Sequence, residues 1–298
     1  NVEDGVLQGY LESIGIPFVG GDVYASAVGQ DKIFMKEIFR ENDLPVCDYA
    51  WFYDTEYEDD NEKVLARVEK LTYPVIIKPA TLGSSVGIKT AHNKEELKVA
   101  IDEAIKYDHK IVVEKLVENL MEVNISVLGN YSNQQVSAIE QVIPTKDFLT
   151  YEDKYLGSSK TKGKIGGKFK TSKGMVSTSR VIPAPLPKKM KEEVEKVAVG
   201  AFKALGSSGV VRIDFLVDEK EKKIYINEVN NIPGSLSFYL WEPIGKEYTE
   251  LLDDMINIGI RDYKMRIAKT HSFDTNILKG FAEHGGLKGM KGSKGKLR

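Results

Sequence analysis

The stretch VRIDFLVDEKEKKIYINEVN, residues 211–230, contains two runs of alternating polar and apolar residues with the polar segment DEKE between them. This pattern predicts two antiparallel strands joined as a hairpin. Arg212 and Asp214 share one face of the first strand because they lie two residues apart, and Glu228 and Asn230 do so in the second. If Asp214 is opposite Glu228, their side chains lie about 5 Å apart. The same register places Arg212 opposite Asn230.

Two carboxylates and an amide oxygen would then converge on one face of this hairpin. Such an all-oxygen set suits Mg²⁺ or Mn²⁺, which prefer hard ligands. The hairpin therefore predicts a divalent-cation site formed by Asp214, Glu228 and Asn230. The alternative is a plain solvent-facing side of a hairpin, where charged side chains are common.

A second signal is the stretch YPVIIKPATLGSSVGI, residues 73–88, an apolar run that ends in Lys78 and opens into glycine and serine. Glycine lets the backbone approach a ligand closely, serine supplies hydroxyl and N–H groups, and the lysine supplies a compact positive charge. The combination predicts a site for an anion such as a triphosphate. An ordinary β-turn between two strands is the alternative.

Composition restricts the class of protein. The 298 residues are enough for two or three domains, and 42 basic residues nearly balance 44 acidic ones, so no global charge favours nucleic acid or a membrane surface. The single cysteine, Cys47, excludes an intramolecular disulfide framework and is predicted to be buried. There is no apolar run long enough to span a bilayer and no signal-peptide pattern, so we expect a cytoplasmic protein. The first residue is Asn1, which indicates an internal starting point.

The periodicity predicts an α+β arrangement up to residue 117 and antiparallel strands beyond it. A strand-like stub is expected at IPFVG, and half-buried strands at 122–129 and 135–143. The lysine- and glycine-rich segment 158–174 is predicted to be a mobile loop, and the alternative is a plain linker. The predicted helices cover 5–14, 30–43, 61–71, 92–107, 187–205 and 245–264, with an Asn93 capping box at the fourth.

The segments GIPFVGGDVYASAVGQDK, YPVIIKPATLGSSVGI, VVEK, YEDKYL, RIDF and NEVNNIPGSLS occur in the order found in ATP-grasp ligases. From residue 3 to about 260 the chain resembles the D-alanine–D-alanine ligase family. The resemblance implies an α+β ATP-grasp fold with four parts. These are a remnant of an N-terminal α/β domain (1–20), a central nucleotide-binding subdomain (21–117), a C-terminal antiparallel-sheet subdomain (118–283) and a flexible tail (284–298).

The resemblance also implies roles for individual residues. Nucleotide binding falls to Lys32, Lys78 and Lys154 at the phosphates, Ser84 and Ser85 in the flap over them, Glu114, Lys115 and Val117 at the adenine, and Glu122 at the ribose. Asp214, Glu228 and Asn230 would bind two Mg²⁺ or Mn²⁺ ions. Ser84 and Tyr155 would lie at the reacting centre, and Arg212 with the Gly234 N–H would stabilise an oxyanion. Lys32 could instead be a solvated residue of its helix, and Tyr155 a half-buried aromatic.

The implied reaction joins two D-alanine molecules through an acyl phosphate made from ATP, for peptidoglycan precursors. The implied partners are small molecules, with neither nucleic acid nor a membrane, and a homodimer is compatible with the family. The four scattered histidines support neither a catalytic triad nor a zinc site.

The sequence departs from the family at Tyr239, which aligns with a serine that receives the carboxylate of the second substrate, and this leaves the acceptor open. The alternatives are a ligase for another acid and amine, and a nucleotide-binding fragment without ligase activity or with nucleic-acid affinity. About 20 residues of the N-terminal domain would be too few for a core of their own. We therefore expect ATP binding with poor ligation of D-alanine by this chain.

Overall fold

The computed structural model describes residues 2–83, 86–143 and 179–270. The helices of these segments are α1 (Val6–Ser13), α2 (Val23–Gln30), α3 (Lys32–Glu41), α4 (Asp54–Asp59), α5 (Asn61–Val68), α6 (Lys94–Ala104), α7 (Lys188–Ala204) and α8 (Tyr248–Ile267). The strands are β1 (Tyr49–Tyr53), β2 (Val75–Pro79), β3 (Lys89–Ala91), β4 (Lys110–Lys115), β5 (Leu120–Gly129), β6 (Gln134–Ile143), β7 (Ser179–Val181), β8 (Gly209–Asp218) and β9 (Lys223–Asn230).

The first sheet is antiparallel, with the strand order β1-β4-β2-β3. Its strands alternate, so that Ile77 and Val113 face a core made with helices α5 and α6, which supply residues such as Leu65 and Ile101. The opposite face carries Lys78 and the strand pair of Ile76 with Glu114. One face of this sheet is therefore apolar and covered, and the other carries buried charge.

The second sheet has the order β7-β6-β5-β8-β9 and is also antiparallel. Helices α3 and α7 cover one face of it, where Phe39 and Phe202 pack against Val123, Ile125 and Ile213. The prediction that β5 is half-buried is wrong, because its polar face is buried as well: Asn124 and Ser126 are both buried. From Val123 onward the strand is buried on both faces, because helices cover one face and the other turns towards the space between the two sheets.

The register predicted for the hairpin is confirmed. Asp214 is opposite Glu228 and Arg212 is opposite Asn230 in the β8–β9 pair. A bulge shifts the register by one residue immediately after Asp214. The bulge lies between the pairs that contain Arg212 and Asp214 and the pairs from Phe215 to the turn.

Helix starts follow from local side-chain chemistry. Asp31 accepts hydrogen bonds from the N–H groups of Ile33 (2.9 Å) and Phe34 (3.1 Å) and so caps α3. Asp22 caps α2 in the same way through the N–H of Ala25 (2.9 Å). The capping interaction predicted for Asn93 is present at the start of α6, where its side chain accepts from the N–H of Glu96 at 2.9 Å.

Several short elements differ from the predictions. The segment IPFVG is not a strand, and α2, β1 and β3 form where no element was predicted. Strand β1 was not predicted because it forms by pairing with β4, which is distant in the sequence. Local periodicity does not encode such a contact. The prediction that Cys47 is buried is confirmed.

After β9 the chain forms a short 3-10 segment, Gly234–Leu240. Ser235, Leu236 and Ser237 in it have positive φ angles, which are sterically costly for residues with a Cβ. Buried Leu240 and Trp241 follow and pack in a third core cluster. Residues of α8, which was predicted at 245–264, complete this cluster.

Residues 1–261 form one compact unit and residues 262–298 form a second. The described part of the second unit is the end of α8 and a few residues beyond it. The lysine-rich segment 158–174 and the tail 284–298 lie outside the described residues, and the domain boundaries stay predictions. In the described parts of the chain, the helices are too short or too polar to cross a membrane.

Candidate active site

A cavity of about 680 Å³ lies between the polar faces of the two sheets. Its walls include residues from both sheets, from the start of α3 and from the β4–β5 connection. Of the residues predicted to bind ligands or to act in catalysis, the structure brings to this cavity Lys32, Lys78, Glu114, Lys115, Val117, Glu122, Arg212, Asp214 and Glu228. Residues scattered over some 200 positions of sequence therefore share one site.

One wall of the cavity contains a buried cluster of lysines around Glu114. The Glu114 carboxylate lies 3.3 Å from the Nζ of Lys78 and 3.3 Å from the Nζ of Lys36, and all three side chains are almost inaccessible. Lys78 also donates to the Oδ1 of Asn227 at 3.0 Å, which ties the first sheet to β9. Glu114 thus has an electrostatic role inside the protein in addition to its place in the cavity wall.

The cluster shifts the pKa values of its members. Burial alone would raise the pKa of Glu114, but Lys36 and Lys78 hold it below its ordinary value. Burial alone would lower the pKa of Lys78, but the charge of Glu114 outweighs it, so the pKa of Lys78 is raised. The two shifts agree, and both describe an ion pair in which each charge stabilises the other.

Lys32 is the first residue of α3 and lies beside this cluster. It is buried, so its interpretation as a solvated helix residue is wrong. The backbone N–H of Lys32 donates to the carbonyl of Ala80 (3.0 Å) and its Nζ donates to the carbonyl of Leu82 (2.5 Å). Burial lowers the pKa of Lys32, and the positive charge of Lys78 adds to the effect. A lysine that lacks a carboxylate partner at hydrogen-bond distance in the described structure is suited to an incoming anion.

The opposite wall carries the predicted carboxylate face. Arg212 donates to both carboxylate oxygens of Asp214 at 2.7 Å, and the amide of Asn230 donates to one of them at 3.1 Å. Burial raises the pKa of Glu228, and the neighbouring charge of Asp214 raises it further. Two half-buried carboxylates thus occupy opposite positions of paired strands, and the raised pKa of Glu228 means that this group resists ionisation.

The donor set of this face fits a divalent cation. Within the described ranges there is no group of three or more His, Cys, Asp and Glu side chains that could hold a metal. The predicted cation ligands would not be found by such a search, because they are only two carboxylates, Asp214 and Glu228, together with the amide oxygen of Asn230. A cation placed there would relieve the repulsion between Asp214 and Glu228, which is the physical reason to expect it.

The remaining predicted residues have other outcomes. Ser84, Ser85, Lys154 and Tyr155 lie outside the described residues. Gly234 is exposed at the start of its 3-10 segment. The hydroxyl of Tyr239 donates to the Glu140 carboxylate at 2.9 Å, so within the described structure this hydroxyl is already engaged.

The polar residues of the site that sequence reasoning missed include Lys36, Asn124, Glu140, Arg180 and Asn227. Lys36 could have been found because it lies one helical turn after Lys32, and Asn124 because it shares a strand face with Glu122. Nothing local marks Glu140, whose partners come from β5, β7 and the segment after β9.

Two antiparallel sheets, each covered by helices on one face, here enclose a cavity that is lined by lysines on one side and carboxylates on the other. This arrangement is that of an ATP-grasp protein.

Comparison with known proteins shows to which family of ATP-grasp proteins this chain is similar. The sequence model of the D-ala D-ala ligase C-terminus matches residues 38–257. A D-alanine–D-alanine ligase of Thermoanaerobacter sp. (strain X514) is 42% identical over 267 residues, which are 88% of this chain and 69% of that protein. One of Thermosipho africanus is 39% identical over 93% of this chain and 70% of its own length.

Solved structures agree with these relatives. The VanG D-Ala:D-Ser ligase of Enterococcus faecalis superposes with a TM-score of 0.70 at 30% identity, over 86% of this chain and 69% of that one. A D-alanine–D-alanine ligase of Bacillus anthracis complexed with ATP gives a TM-score of 0.67 at 26% identity, over 89% of this chain and 77% of the other. The chain belongs to the D-alanine–D-alanine ligase family.

Proposed function

We propose that this protein joins two D-alanine molecules at the expense of ATP, in the synthesis of peptidoglycan precursors. The observation that carries the proposal is the cavity itself, in which buried Lys32 and Lys78 face Asp214 and Glu228 across the gap between two sheets. Family membership supports the same conclusion. Because ATP is the energy source, the reaction belongs in the cytoplasm.

In this proposal the first sheet holds the nucleotide. The β4–β5 connection, with Lys115 and Val117, contacts the adenine, and Glu122 at the start of β5 takes the ribose. Lys32 and Lys78 neutralise the phosphates. The hydrogen bond of the Lys32 Nζ to the Leu82 carbonyl and the ion pair of Lys78 with Glu114 support these roles, because both lysines are held in place before a ligand arrives.

The chemistry follows from the poor reactivity of a carboxylate. A carboxylate oxygen of the first D-alanine attacks the γ-phosphorus of ATP, which forms an acyl phosphate and releases ADP. The amine of the second D-alanine then attacks the acyl carbon, the carbon–oxygen bond to phosphate breaks, and phosphate and a proton leave. Arg212 donates two hydrogen bonds to the Asp214 carboxylate, which hold its guanidinium in place. In this position Arg212 stabilises the oxyanion of the tetrahedral intermediate.

Asp214, Glu228 and Asn230 would hold Mg²⁺ or Mn²⁺. When bound, such ions neutralise charge on the transferring phosphoryl group. The residues present supply the oxygen donors, and the raised pKa of Glu228 supports a site that awaits positive charge.

The test is D-alanine-dependent release of phosphate from ATP by the full chain. We expect slow turnover that yields phosphate and D-alanyl-D-alanine in equal amounts, and a further loss of at least a hundredfold in kcat/KM for Asp214→Asn. The matched control is Asp218→Asn, a change on the same strand at the end remote from the predicted cation site. Phosphate release that is independent of D-alanine would refute the proposal.

A second candidate is ligation of D-alanine to a different acceptor. Two observations favour it: the similarity to a D-Ala:D-Ser ligase and the engagement of the Tyr239 hydroxyl by Glu140. A panel of D-amino acids, each offered together with D-alanine and ATP, distinguishes the two candidate functions. If the acceptor is not D-alanine, one mixed dipeptide is formed in larger amount than D-alanyl-D-alanine.

A further inference from the structure

One end of the cavity is formed by β6, β7 and the 3-10 segment after β9. Four polar side chains line it, and none of them has a role in the nucleotide half of the site. We call them the Glu140 cluster, which consists of Asn124, Glu140, Arg180 and Tyr239.

The two oxygens of the Glu140 carboxylate have different surroundings. Oε1 accepts hydrogen bonds from the Tyr239 hydroxyl (2.9 Å) and the Asn124 amide (3.0 Å). Oε2 is buried without a hydrogen bond among the described residues, and its nearest cation is the Nε of Arg180 at 3.8 Å. This carboxylate is therefore anchored on one side and unsaturated on the side that faces Arg180.

Arg180 is held by its surroundings and is still accessible from the cavity. Its guanidinium carbon lies 4.5 Å from the centre of the Tyr239 ring, a stacking distance. Its side chain is 26% exposed, whereas that of Glu140 is 1% exposed. The nitrogen of Arg180 that lies nearest to the Glu140 carboxylate is Nε, at 3.8 Å. Such a stacked guanidinium is well suited to bind a carboxylate with two parallel hydrogen bonds.

The cluster lies beside the proposed reaction centre on the same sheet face. Asn124 is paired with Glu140 on one side and with Asp214 on the other. Since neighbouring strands lie about 4.8 Å apart, Glu140 is about 10 Å from Asp214 across the sheet. This separation leaves room for one small amino acid between Arg180 and the acyl carbon near Arg212.

We propose that Arg180 binds the carboxylate of the second amino acid, the one that supplies the amine, and that Glu140 and Tyr239 position Arg180 for this task. The proposal rests on the proposed ligase function and names a residue that determines its acceptor. Glu140 fixes the Tyr239 ring through the hydroxyl, and the ring in turn supports the guanidinium. The paired charges of Glu140 and Arg180 leave the subsite neutral overall, which suits a zwitterion.

The test is a competition between two acceptors in one reaction mixture. The full chain receives ATP, Mg²⁺, D-alanine and D-alaninamide, in which an amide replaces the carboxylate. Both amines attack the same acyl phosphate, so the ratio of D-alanyl-D-alaninamide to D-alanyl-D-alanine reports acceptor recognition alone. For Arg180→Gln we expect this ratio to rise at least tenfold.

Glu140→Gln keeps the shape of the side chain and removes its charge. We expect the ratio to rise in the same direction by a smaller factor, with a higher KM for the acceptor and little change in kcat. A merely structural role would lower the yield of both products and leave their ratio unchanged.

The control is Arg40→Gln, since Arg40 also stacks on a tyrosine ring, that of Tyr49 at 4.4 Å, but far from the Glu140 cluster along the chain and outside the cavity lining. The control should keep the wild-type ratio. If Arg180→Gln does not fold, Arg180→Lys replaces it, and a rise in the ratio is again expected. An unchanged ratio in the folded Arg180 variant overturns the proposal.

Hydroxylamine separates failure of this inference from failure of the ligase function. It attacks the acyl phosphate directly to give a hydroxamate and phosphate, and it needs no carboxylate-binding group. Hydroxamate formation at the wild-type rate in Arg180→Gln supports the proposal, because the first half of the reaction is then intact. Absence of hydroxamate with the wild-type chain overturns the proposed function itself.

Discussion

Two carboxylates of the cavity, the buried Glu114 and the half-buried Glu228, differ in the sign of their pKa shift. Glu114 lies between two lysines, which lower its pKa, whereas desolvation and then the charge of Asp214 on the opposite strand raise the pKa of Glu228. The same substitution, Glu to Gln, therefore has opposite effects on stability at the two positions. The pair forms a matched comparison within one site.

Glu228→Gln should stabilise the protein in the absence of nucleotide and metal. A carboxyl group with a raised pKa in the folded state contributes stability below its unfolded pKa and loses it as the pH rises. At pH 7 we expect the Tm of the variant to exceed that of the wild type by a few degrees, and the gain to vanish near pH 4. Thermal unfolding in a chelating buffer measures this. A Tm difference between the variant and the wild type that is the same at pH 7 and at pH 4 would contradict this prediction. The ligase activity of the variant should fall whatever its Tm.

Glu114→Gln should destabilise the protein, because Lys36 and Lys78 would be left as buried charges without a partner. Breaking a buried ion pair costs about 3–5 kcal/mol. Since the pKa of Glu114 is lowered on folding, its contribution is present above the unfolded pKa and is lost as the pH falls. We expect a large loss in urea unfolding at pH 7 and a smaller one near pH 4. The opposite pH trend would show that the carboxylate is not paired.

The start of α3 connects helix capping to the proposed phosphate site. Asp31 caps the helix and pairs with Lys110, and the next residue is Lys32. Lys32 in turn is tied through its N–H to the carbonyl of Ala80, which follows β2. The cap thus fixes the direction in which Lys32, the lysine that we propose binds phosphate, enters the cavity.

Asp31→Ala should therefore lower both stability and nucleotide affinity. Loss of an N-cap costs about 0.5–2 kcal/mol, and we expect the Kd for ATP to rise several-fold because Lys32 becomes less ordered. Asp22→Ala removes the cap of α2 and is the control, with a similar loss of stability and an unchanged Kd. Calorimetric titration with ATP compares them. A Kd that rises equally in both variants would show that stability alone controls binding.

The two sheets meet at the cavity, so nucleotide should stabilise the protein as one unit. At a ligand concentration of 100 times Kd the stabilisation is about 2.7 kcal/mol. We expect ATP with Mg²⁺ to raise the Tm by several degrees, and Lys78→Ala to abolish most of this rise. Lys203→Ala, at the end of α7, is the control. A Tm that does not depend on ATP concentration would exclude binding to the folded state.

Much of the site could be predicted because its signals are local. The alternation in 211–230 places Arg212 and Asp214 on one face of their strand, and Glu228 and Asn230 on one face of the partner strand. The structure confirms the register that sets Asp214 opposite Glu228. The caps at Asp31 and Asn93 likewise depend on the few residues that follow them. The phosphate site indicated by the Gly/Ser stretch stays a prediction, and residues 84 and 85 lie outside the described structure.

The tertiary structure alone decided which of these signals share a cavity and which charges are paired within it. Lys78 reaches Asn227 across 149 positions of sequence, and Tyr239 reaches Glu140 across 99. Burial of both faces of β5 depends on the strands and helices that surround it, and β1 exists only because β4 pairs with it. Periodicity records whether a side chain points to one face or the other. It cannot record what covers that face, because burial and ion pairing are properties of contacts between distant segments.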